Sequence, residues 1–484
     1  MFGIETYLQI LYKLHNFFSN LYSYHMPKTQ RIRDPIHGLI VFEEGNDLDQ
    51  LIWQLLNSDP FQRLRRVRQL GFSEFVYPGA THTRFAHSVG VFYNARKLLQ
   101  IINKKVERFD KERAIVATCA ALLHDLGHGP FSHTFEGVEK TRGKKKKHET
   151  WTAEIVEGDT EIQEILNKFD PTLAKKISAL ILAKEPTDIY AAIVSSQFDA
   201  DRLDYLVRDR YMSGVEVGHF DMEWLLDCLE IDRVLVAQNP DQAIENQQFD
   251  YVDGFVINPK GFKAAEGYLE ARFHLYSTVY LHKTTRGAEK LLASLLSTLS
   301  EALKTDGADK LNLPSRQSLV SYLTQEDPSL AQYLSLDDGS ILSLLPFLQA
   351  CPNARIAELA TKLKRRHLYK CVDIGSRLRG DGSDEKVRFK RDLKEKVKEL
   401  GMEFGYNILY DEPRLVGYDW YTWGEESTLK KVLVKGVEQN KNYDIGDRSE
   451  IIKALKKEDF YRIYVPDNEK RGVVEAIWTE IAKV

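Results

Sequence analysis

CAALLHDLGHGPFSHTFE, residues 119–136, is the stretch from which the rest of the chain is read. It completes RAIVATCAALL (113–123), whose apolar period and small residues predict a helix able to pack closely. That run ends on His124 and Asp125, adjacent residues that can both reach one cation where the chain turns. Imidazole and carboxylate together suit zinc, iron or manganese, whereas magnesium favours carboxylate oxygen. Gly127, Gly129 and Pro130 then break the helix, predicting a sharply turned loop that carries His128 and His133. For a single histidine, a helix end with a satisfied surface imidazole is the ordinary reading. Three of them beside an aspartate favour a metal site.

Upstream, FVYPGATHTRFAHSVGVFYNARKLLQII turns at Pro78-Gly79, and Thr81 or Thr83 is positioned to cap a helix beginning near Arg84. Arg84 and His87 are three apart, on one side of its first turn. Taken alone, His87 is equally well a structural residue. Before it, LDQLIWQLLNSDPFQRLRRVRQLG predicts two helices divided near Asn57 to Pro60. Arg63, Arg65, Arg66 and Arg68 cannot all share one helix face, so some are solvated while others pair with acids or phosphates. RIRDPIHGLIVFEE (31–44) reads as a turn at Asp34-Pro35 and His37-Gly38 followed by a strand or hairpin arm. The aromatic-rich first residues predict a short helix packed on the body, with a peripheral anchor or partner-binding helix as the alternative; they lack the charged start of a signal peptide.

Downstream, four lysines precede His148 and Glu149, either as a solvated loop or as an attractor of anions. SSQFDADRLDYLVRDRYMSG (195–214) is an ion-paired helix, or one whose aspartate completes a metal shell with His87, His124 and Asp125. EARFHLYSTVYLHKTTRGAEKLL (270–292) predicts another helix, with Arg272, Tyr276, Tyr280 and Lys283 on one face. That face suits nucleotide recognition, or equally a plain helix surface or oligomer contact. Past residue 310 come short helices, a flexible connection at 378–386, a charged helix in VRFKRDLKEKVKEL, and strands in YNILYDEP, KVLVKG and FYRIYV. The expected organisation is an N-terminal extension (1–30), a mainly α-helical core (31–310) and a smaller mixed α+β C-terminal module (311–484).

Composition narrows the classes. The 484 residues are 43% hydrophobic and 29% charged, ordinary for a soluble globular chain with room for two or three domains. A net charge of −4 gives no global pull on nucleic acid, although local basic runs leave single-stranded nucleic acid open. Four scattered cysteines, Cys119, Cys228, Cys351 and Cys371, form no CxxC pair, which argues against a disulfide framework or zinc finger. No apolar run reaches membrane-spanning length, and the cytoplasm is the expected location. Neither a P-loop nor a dinucleotide fingerprint is present, so phosphate handling falls to histidine and arginine.

The dyad His124-Asp125, with TRFAHS (83–88) before it and FDADRLDYLVRD (198–209) after it, resembles the HD-domain phosphohydrolase superfamily. DPIHG (34–38), FQRLRRVRQLG (61–71), HDLGHGPFSH (124–133) and LDYLVRD (203–209) look like its deoxynucleoside-triphosphate triphosphohydrolase branch. That branch includes the vertebrate sterile-alpha-motif and HD-domain enzyme; no pattern for a sterile-alpha-motif domain is seen here. The likeness is strong over 31–292 and weaker beyond. It implies an HD-domain core in which His87, His124, Asp125 and Asp201 are metal ligands, with iron, manganese or zinc there and magnesium on the triphosphate. It implies Arg84 and His128 on the triphosphate, His133 as general acid at the α-phosphate, and His148 as a further active-site histidine. Glu136 stands where the vertebrate enzyme has aspartate, an orienting carboxylate with a different reach, and Arg202 stands where lysine is found and could still bind phosphate. Gln69 and Asp209 would bond the 3′-hydroxyl, with Leu70 and Tyr205 nearby and Tyr280 set against C2′ to disfavour ribose.

The implied reaction is attack of metal-activated water on the α-phosphorus of a dNTP, releasing deoxynucleoside and inorganic triphosphate. His133 must then carry a proton for the departing 5′-oxygen. Gln62 and Arg65 match an activating guanine-nucleotide site in which Gln30 and Asn57 replace lysine and aspartate. Lys260 and Lys283 match a neighbouring nucleotide site in which Cys228 and Asn258 replace arginines. The resemblance therefore implies a homo-oligomer, dimer or tetramer, with its activating nucleotide left open. The competing functions are an HD phosphohydrolase of another phosphate ester and a nucleic-acid-binding or regulatory protein that retains the metal site.

Overall fold

A hairpin opens the described chain: β1 (Gln30–Asp34) runs antiparallel to β2 (Gly38–Phe42), with Ile32 opposite Ile40. Its turn closes because Asp34 Oδ1 accepts the backbone N–H groups of Ile36 and His37, at 2.9 and 3.0 Å. In this computed structural model, residues 28–236, 250–374, 383–399, 401–415, 418, 428–436, 442–455 and 457–481 are described. The expected N-terminal helix and most of the 378–386 connection lie outside them.

Helix α1 (Asp47–Asn57) starts where the Asn46 side chain accepts from the amides of Leu48 and Asp49, and it buries Leu51, Ile52, Leu55 and Leu56. It ends at Ser58, and a single new turn begins at Asp59-Pro60, the division expected from sequence. The arginine run is one 3₁₀ turn, Arg63–Arg66, followed by extended chain, so its side chains diverge. Arg63 is fully buried, Arg65 is exposed, and Arg66 and Arg68 pair with Asp337 and Glu74.

Helices α2 (Arg84–Lys105) and α3 (Lys111–Leu123) form the centre. Thr83 occupies the N-cap position of α2 but makes no capping bond, whereas Asp110 caps α3 through the Arg113 amide. Ala114, Ala117, Ala120 and Ala121 keep α3 slim, so α2 packs closely along it. Buried Phe92, Leu98 and Ile102 on α2 each contribute about 1.5–3 kcal/mol of transfer free energy. Then come α4 (His133–Thr141), α5 (His148–Glu157), α6 (Glu161–Phe169), α7 (Leu173–Leu182) and α8 (Ala200–Ser213), the last lying against α2.

The long hairpin β3 (Leu229–Val236) and β4 (Asp250–Ile257) was not foreseen in the sequence reading. After it, the helix predicted over 270–292 is two. Helix α9 (Phe262–Leu275) passes into a π-helical turn at Tyr276–Tyr280, the chain breaks at Leu281-His282, and α10 (Lys283–Thr305) starts with His282 as its cap. The break ends the expected single face. Arg272 reaches Gln197, Tyr276 and Tyr280 line one cavity, and Lys283 lines another.

Leu291, Leu292, Leu295, Leu296 and Leu299 make α10 the spine of a second core. Onto it pack the short helices that follow and α11 (Ala354–Lys364), together with Phe131 and Phe135 from the histidine-rich loop. That loop thus spans two cores. The C-terminal part adds a three-stranded antiparallel sheet, β5 (Lys370–Asp373), β6 (Leu409–Asp411) and β9 (Arg462–Val465), with β9 central. Helices α12 (Ser383–Glu399) and α13 (Asn468–Ile481) pack together, Phe389 edge-on to Trp478 at 5.1 Å. Strands β7 (Leu433–Val434) and β8 (Tyr443–Asp444) extend the β3–β4 hairpin into a four-stranded sheet, β7 running parallel to β4. The architecture is a mainly helical core with a smaller mixed α+β C-terminal part, as the sequence predicts. No described helix is long and apolar enough to cross a membrane.

Candidate functional site

Three elements converge between the cores. The first turn of α2 supplies His87, the turn after α3 supplies His124 and Asp125, and the first turn of α8 supplies Asp201. His87 Nε2 lies 3.0 Å from Asp201 Oδ1 and 3.8 Å from Asp125 Oδ2. His124 Nε2 lies 3.3 Å from Asp125 Oδ1 and 3.8 Å from Asp201 Oδ1, and it is buried without a hydrogen-bond partner. An orphaned imidazole nitrogen facing two carboxylates is the arrangement a cation satisfies. Ligand bonds of ~2.0–2.2 Å place neighbouring donors roughly 3–4 Å apart, the spacing found here. The residues fit a divalent metal.

Protons mark the same point. Burial disfavours a charged imidazole at His87, yet hydrogen bonds and charge from Asp201 and Asp204 outweigh it and hold its pKa up at about 10. Burial likewise opposes ionised Asp125, but Arg84, His124 and His128 hold its carboxyl well below the ordinary range. At neutral pH the metal-free site therefore contains carboxylates and a proton on His87 that a cation can displace.

A buried network orients the ligands. Asp204 accepts from His87 Nδ1 (2.8 Å), His37 Nε2 (2.7 Å) and Arg208 Nε (2.8 Å), while Arg208 Nη1 reaches Asp34 Oδ2 (2.9 Å). This leaves His87 Nε2 for metal and ties the N-terminal hairpin to the site. Gly90 on α2 makes room for it, because a Cβ there would lie 1.9 Å from Asp204 Oδ1.

The histidine-rich loop is braced from outside. Arg63 donates to the carbonyls of Leu126 (2.7 Å), His128 (2.8 Å) and Leu336 (2.8 Å), a bracing role in place of phosphate binding. Gly127 lies so close to α5 that a Cβ would meet His148 O at 2.0 Å. Phe131 and Ser132 take φ of +50° and +49°, costly for residues with side chains. They are held there by Asp338, which accepts from Phe131 N (2.7 Å) and Arg68 N (2.9 Å), and by Ser132 Oγ accepting from Arg84 Nε (2.9 Å). The loop then delivers His133 at the start of α4 with 72% of its side chain exposed.

A cavity of 440 Å³ contains the metal cluster together with Arg84, His128, His133 and His148, and with Gln69, Leu70, Tyr205, Asp209 and Tyr280. His128 stacks on His148 at 4.0 Å; burial, with Arg84 and His148 nearby, pushes its pKa well below the usual imidazole range. Asp209 is held by His82 Nε2 and the Tyr280 hydroxyl, each at 2.7 Å, and Gln69 Oε1 is buried and unpartnered. Glu136 lies behind His148, its Oε2 3.4 Å from His148 Nδ1 and 3.5 Å from His133 Nδ1.

Other expected residues lie elsewhere. Arg202 is not among the lining residues, and its guanidinium is bound to Asp199 one turn earlier. Arg65 bonds Gln62 Oε1 at 2.8 Å and covers the Phe85 ring at 3.5 Å. Lys260 is exposed in the Pro259–Gly261 turn and is not among the residues that line the cleft of Lys283. Lys283 lines a separate basic cleft of 540 Å³ with Lys362, Arg366, Lys370 and Arg471. Sequence reasoning missed His82, Ser132 and Asp338. The first two stand inside quoted motifs beside more conspicuous residues, while Asp338 sits in a short helix with no local signal.

Fold and centre together define a metal-dependent phosphohydrolase of the HD type. Residues 84–206 match the family model described as HD domain, and 242–313 match HD associated region. The chain is 31% identical over 439 residues to the uncharacterized protein YwfO of Bacillus subtilis, covering 90% of this chain and 91% of that one. A solved phosphohydrolase from Bacteroides thetaiotaomicron superposes with a TM-score of 0.69 at 25% identity, over 90% of this chain and 99% of its own. A Dictyostelium discoideum protein named deoxynucleoside triphosphate triphosphohydrolase SAMHD1 homolog is 28% identical over 370 residues, 74% of this chain and 63% of its own. The chain belongs to the HD-domain phosphohydrolase superfamily.

Proposed function

We propose that the protein hydrolyses dNTPs at the α-phosphate to deoxynucleoside and inorganic triphosphate. The observation that carries this reading is that one cavity joins the metal cluster and Arg84 to Gln69, Asp209 and Tyr280. Phosphate chemistry and a sugar-sized polar end thus lie in one space. Relatives named as deoxynucleoside triphosphate triphosphohydrolases, in Dictyostelium discoideum and Gallus gallus, support it.

His87, His124, Asp125 and Asp201 would hold a divalent cation, which when bound would supply Lewis acidity and activate water for attack on phosphorus. Arg84 and His128 bind the triphosphate oxygens, and His133, exposed in the cavity, gives its proton to the departing 5′-oxygen. Gln69 offers its unpartnered Oε1 to the 3′-hydroxyl, and the Tyr280 ring, fixed through its hydroxyl to Asp209, closes the space a 2′-hydroxyl needs. The basic cleft at Lys283 is suited to an activating nucleotide. The test is product analysis of metal-replete protein with each dNTP and matched NTP, alone and in mixtures. Triphosphate with deoxynucleoside, abolished by Asp125→Ala, is the expected result; orthophosphate or pyrophosphate as the sole phosphate product overturns the proposed cleavage position.

A further inference from the structure

Three imidazole–carboxylate pairs in the site are tight: His87–Asp204 at 2.8 Å, His37–Asp204 at 2.7 Å and His82–Asp209 at 2.7 Å. These are the lengths of charge-assisted hydrogen bonds, ~2.7–2.9 Å. The group beside the HD cluster is different. Glu136 Oε2 stands 3.5 Å from His133 Nδ1 and 3.4 Å from His148 Nδ1, and Glu149 Oε2 stands 3.5 Å from that same His148 Nδ1. Glu149 Oε2 is buried and has no hydrogen-bond partner. Bonds of ~2.0–2.1 Å to a tetrahedral ion set its ligands roughly 3.3–3.5 Å apart. The Glu136–His148 contact is a long hydrogen bond, and the donor atoms of His133, Glu136 and His148 all lie within 4.8 Å of one another, a grouping that one ion can draw together.

We infer that His133, Glu136 and His148, with Glu149 beside His148, form a second transition-metal site, separate from the HD cluster, that takes zinc. Two imidazole nitrogens select zinc over magnesium, and the donors come from the first turns of α4 and α5 and so are fixed by helix backbone. The ring of His128, stacked on His148, stands between this group and Asp125, to which His128 Nε2 comes within 3.2 Å. A metal on Nδ1 leaves His133 only an N–H whose loss would make an imidazolate, so the residue can no longer cycle as an acid. Zinc beyond the first equivalent should accordingly suppress turnover. That consequence rests on the proposed role of His133, whereas the binding does not.

The test is equilibrium dialysis of chelator-stripped full-length protein against zinc, with the bound metal counted by mass spectrometry. Wild type should take up a second equivalent. Glu136→Gln and His133→Ala should each lose that equivalent and keep the one at the HD cluster, which doubles as a check on folding. His133→Ala removes an exposed side chain and so leaves packing intact. Asp125→Ala should show the reverse pattern, keeping the second site. A single equivalent in wild type, or a second one that persists in both Glu136→Gln and His133→Ala, overturns the site. A second equivalent that binds as expected without slowing turnover keeps the site and removes His133 from its proposed role as proton donor.

Discussion

Replacing Asp204 by asparagine tests how the metal ligands are held. Asp204 is fully buried and accepts from His37, His87 and twice from Arg208. Breaking a buried ion pair by removing one partner costs about 3–5 kcal/mol. Arg208 keeps Asp34 at 2.9 and 3.2 Å, so its charge is not left alone and the low end, ~3 kcal/mol, applies. The second effect falls on His87. Without the carboxylate its Nδ1 proton is no longer fixed, the ring loses its tautomer and orientation, and metal affinity should drop by roughly 10- to 100-fold. Urea unfolding of the metal-free proteins measures the first quantity, and competition with a chromophoric chelator measures the second. A folded Asp204→Asn protein with wild-type metal affinity would refute the claim that this carboxylate orients His87.

Arg63→Ala strands three buried carbonyls, at about 1–3 kcal/mol for each unsatisfied group. It should lower urea stability by about 3 kcal/mol or more and weaken metal binding by loosening the loop; unchanged binding in a folded variant contradicts the bracing role. Gly127→Ala should displace the loop from α5 and reduce metal occupancy, measured by metal analysis of purified protein. Gln69→Ala should lower dNTP turnover (kcat/KM) by about tenfold, the worth of one hydrogen bond, with metal content unchanged. The pH dependence of stability should differ between metal-free and metal-loaded protein. His87 is raised from 6.5 to about 10, so its contribution in the metal-free protein is fully present below pH 6.5 and is lost as pH rises through about 10. The loaded protein, its Nε2 proton already displaced, should lack that alkaline loss in denaturant titrations followed by circular dichroism.

Local signals made the centre legible. A helix of small residues stopping at His124-Asp125, then glycines and a proline, is a pattern that neighbouring residues alone determine, and the first turns of α2 and α8 were readable for the same reason. What escaped depends on partners distant in sequence. Which of the four arginines is buried cannot be read locally, because Arg63 is fixed by the distant carbonyl of Leu336 and by those of the loop. Arg202, matched to a lysine position, has an Asp199 pairing that only the fold reveals. The break at Leu281-His282 carries no glycine or proline to announce it, so Lys283 was assigned to the face of Tyr280. The β3–β4 hairpin completes its sheet only with β7, some 180 residues on, and strand pairing of that range leaves little trace in a local window.

The clamp by Asp338 has a consequence for the order in which the protein comes into being. Phe131 N and Arg68 N bond a residue 207 and 270 positions later, and among the described residues the strained backbone before His133 has no other carboxylate as a hydrogen-bond partner. During synthesis the chain emerges N-terminus first. All four candidate metal ligands therefore leave the ribosome well before the aspartate that fixes the loop. The candidate ligands are thus in place early along the chain, but the loop takes the shape described here only when the short helix around Asp338 has been translated and has docked.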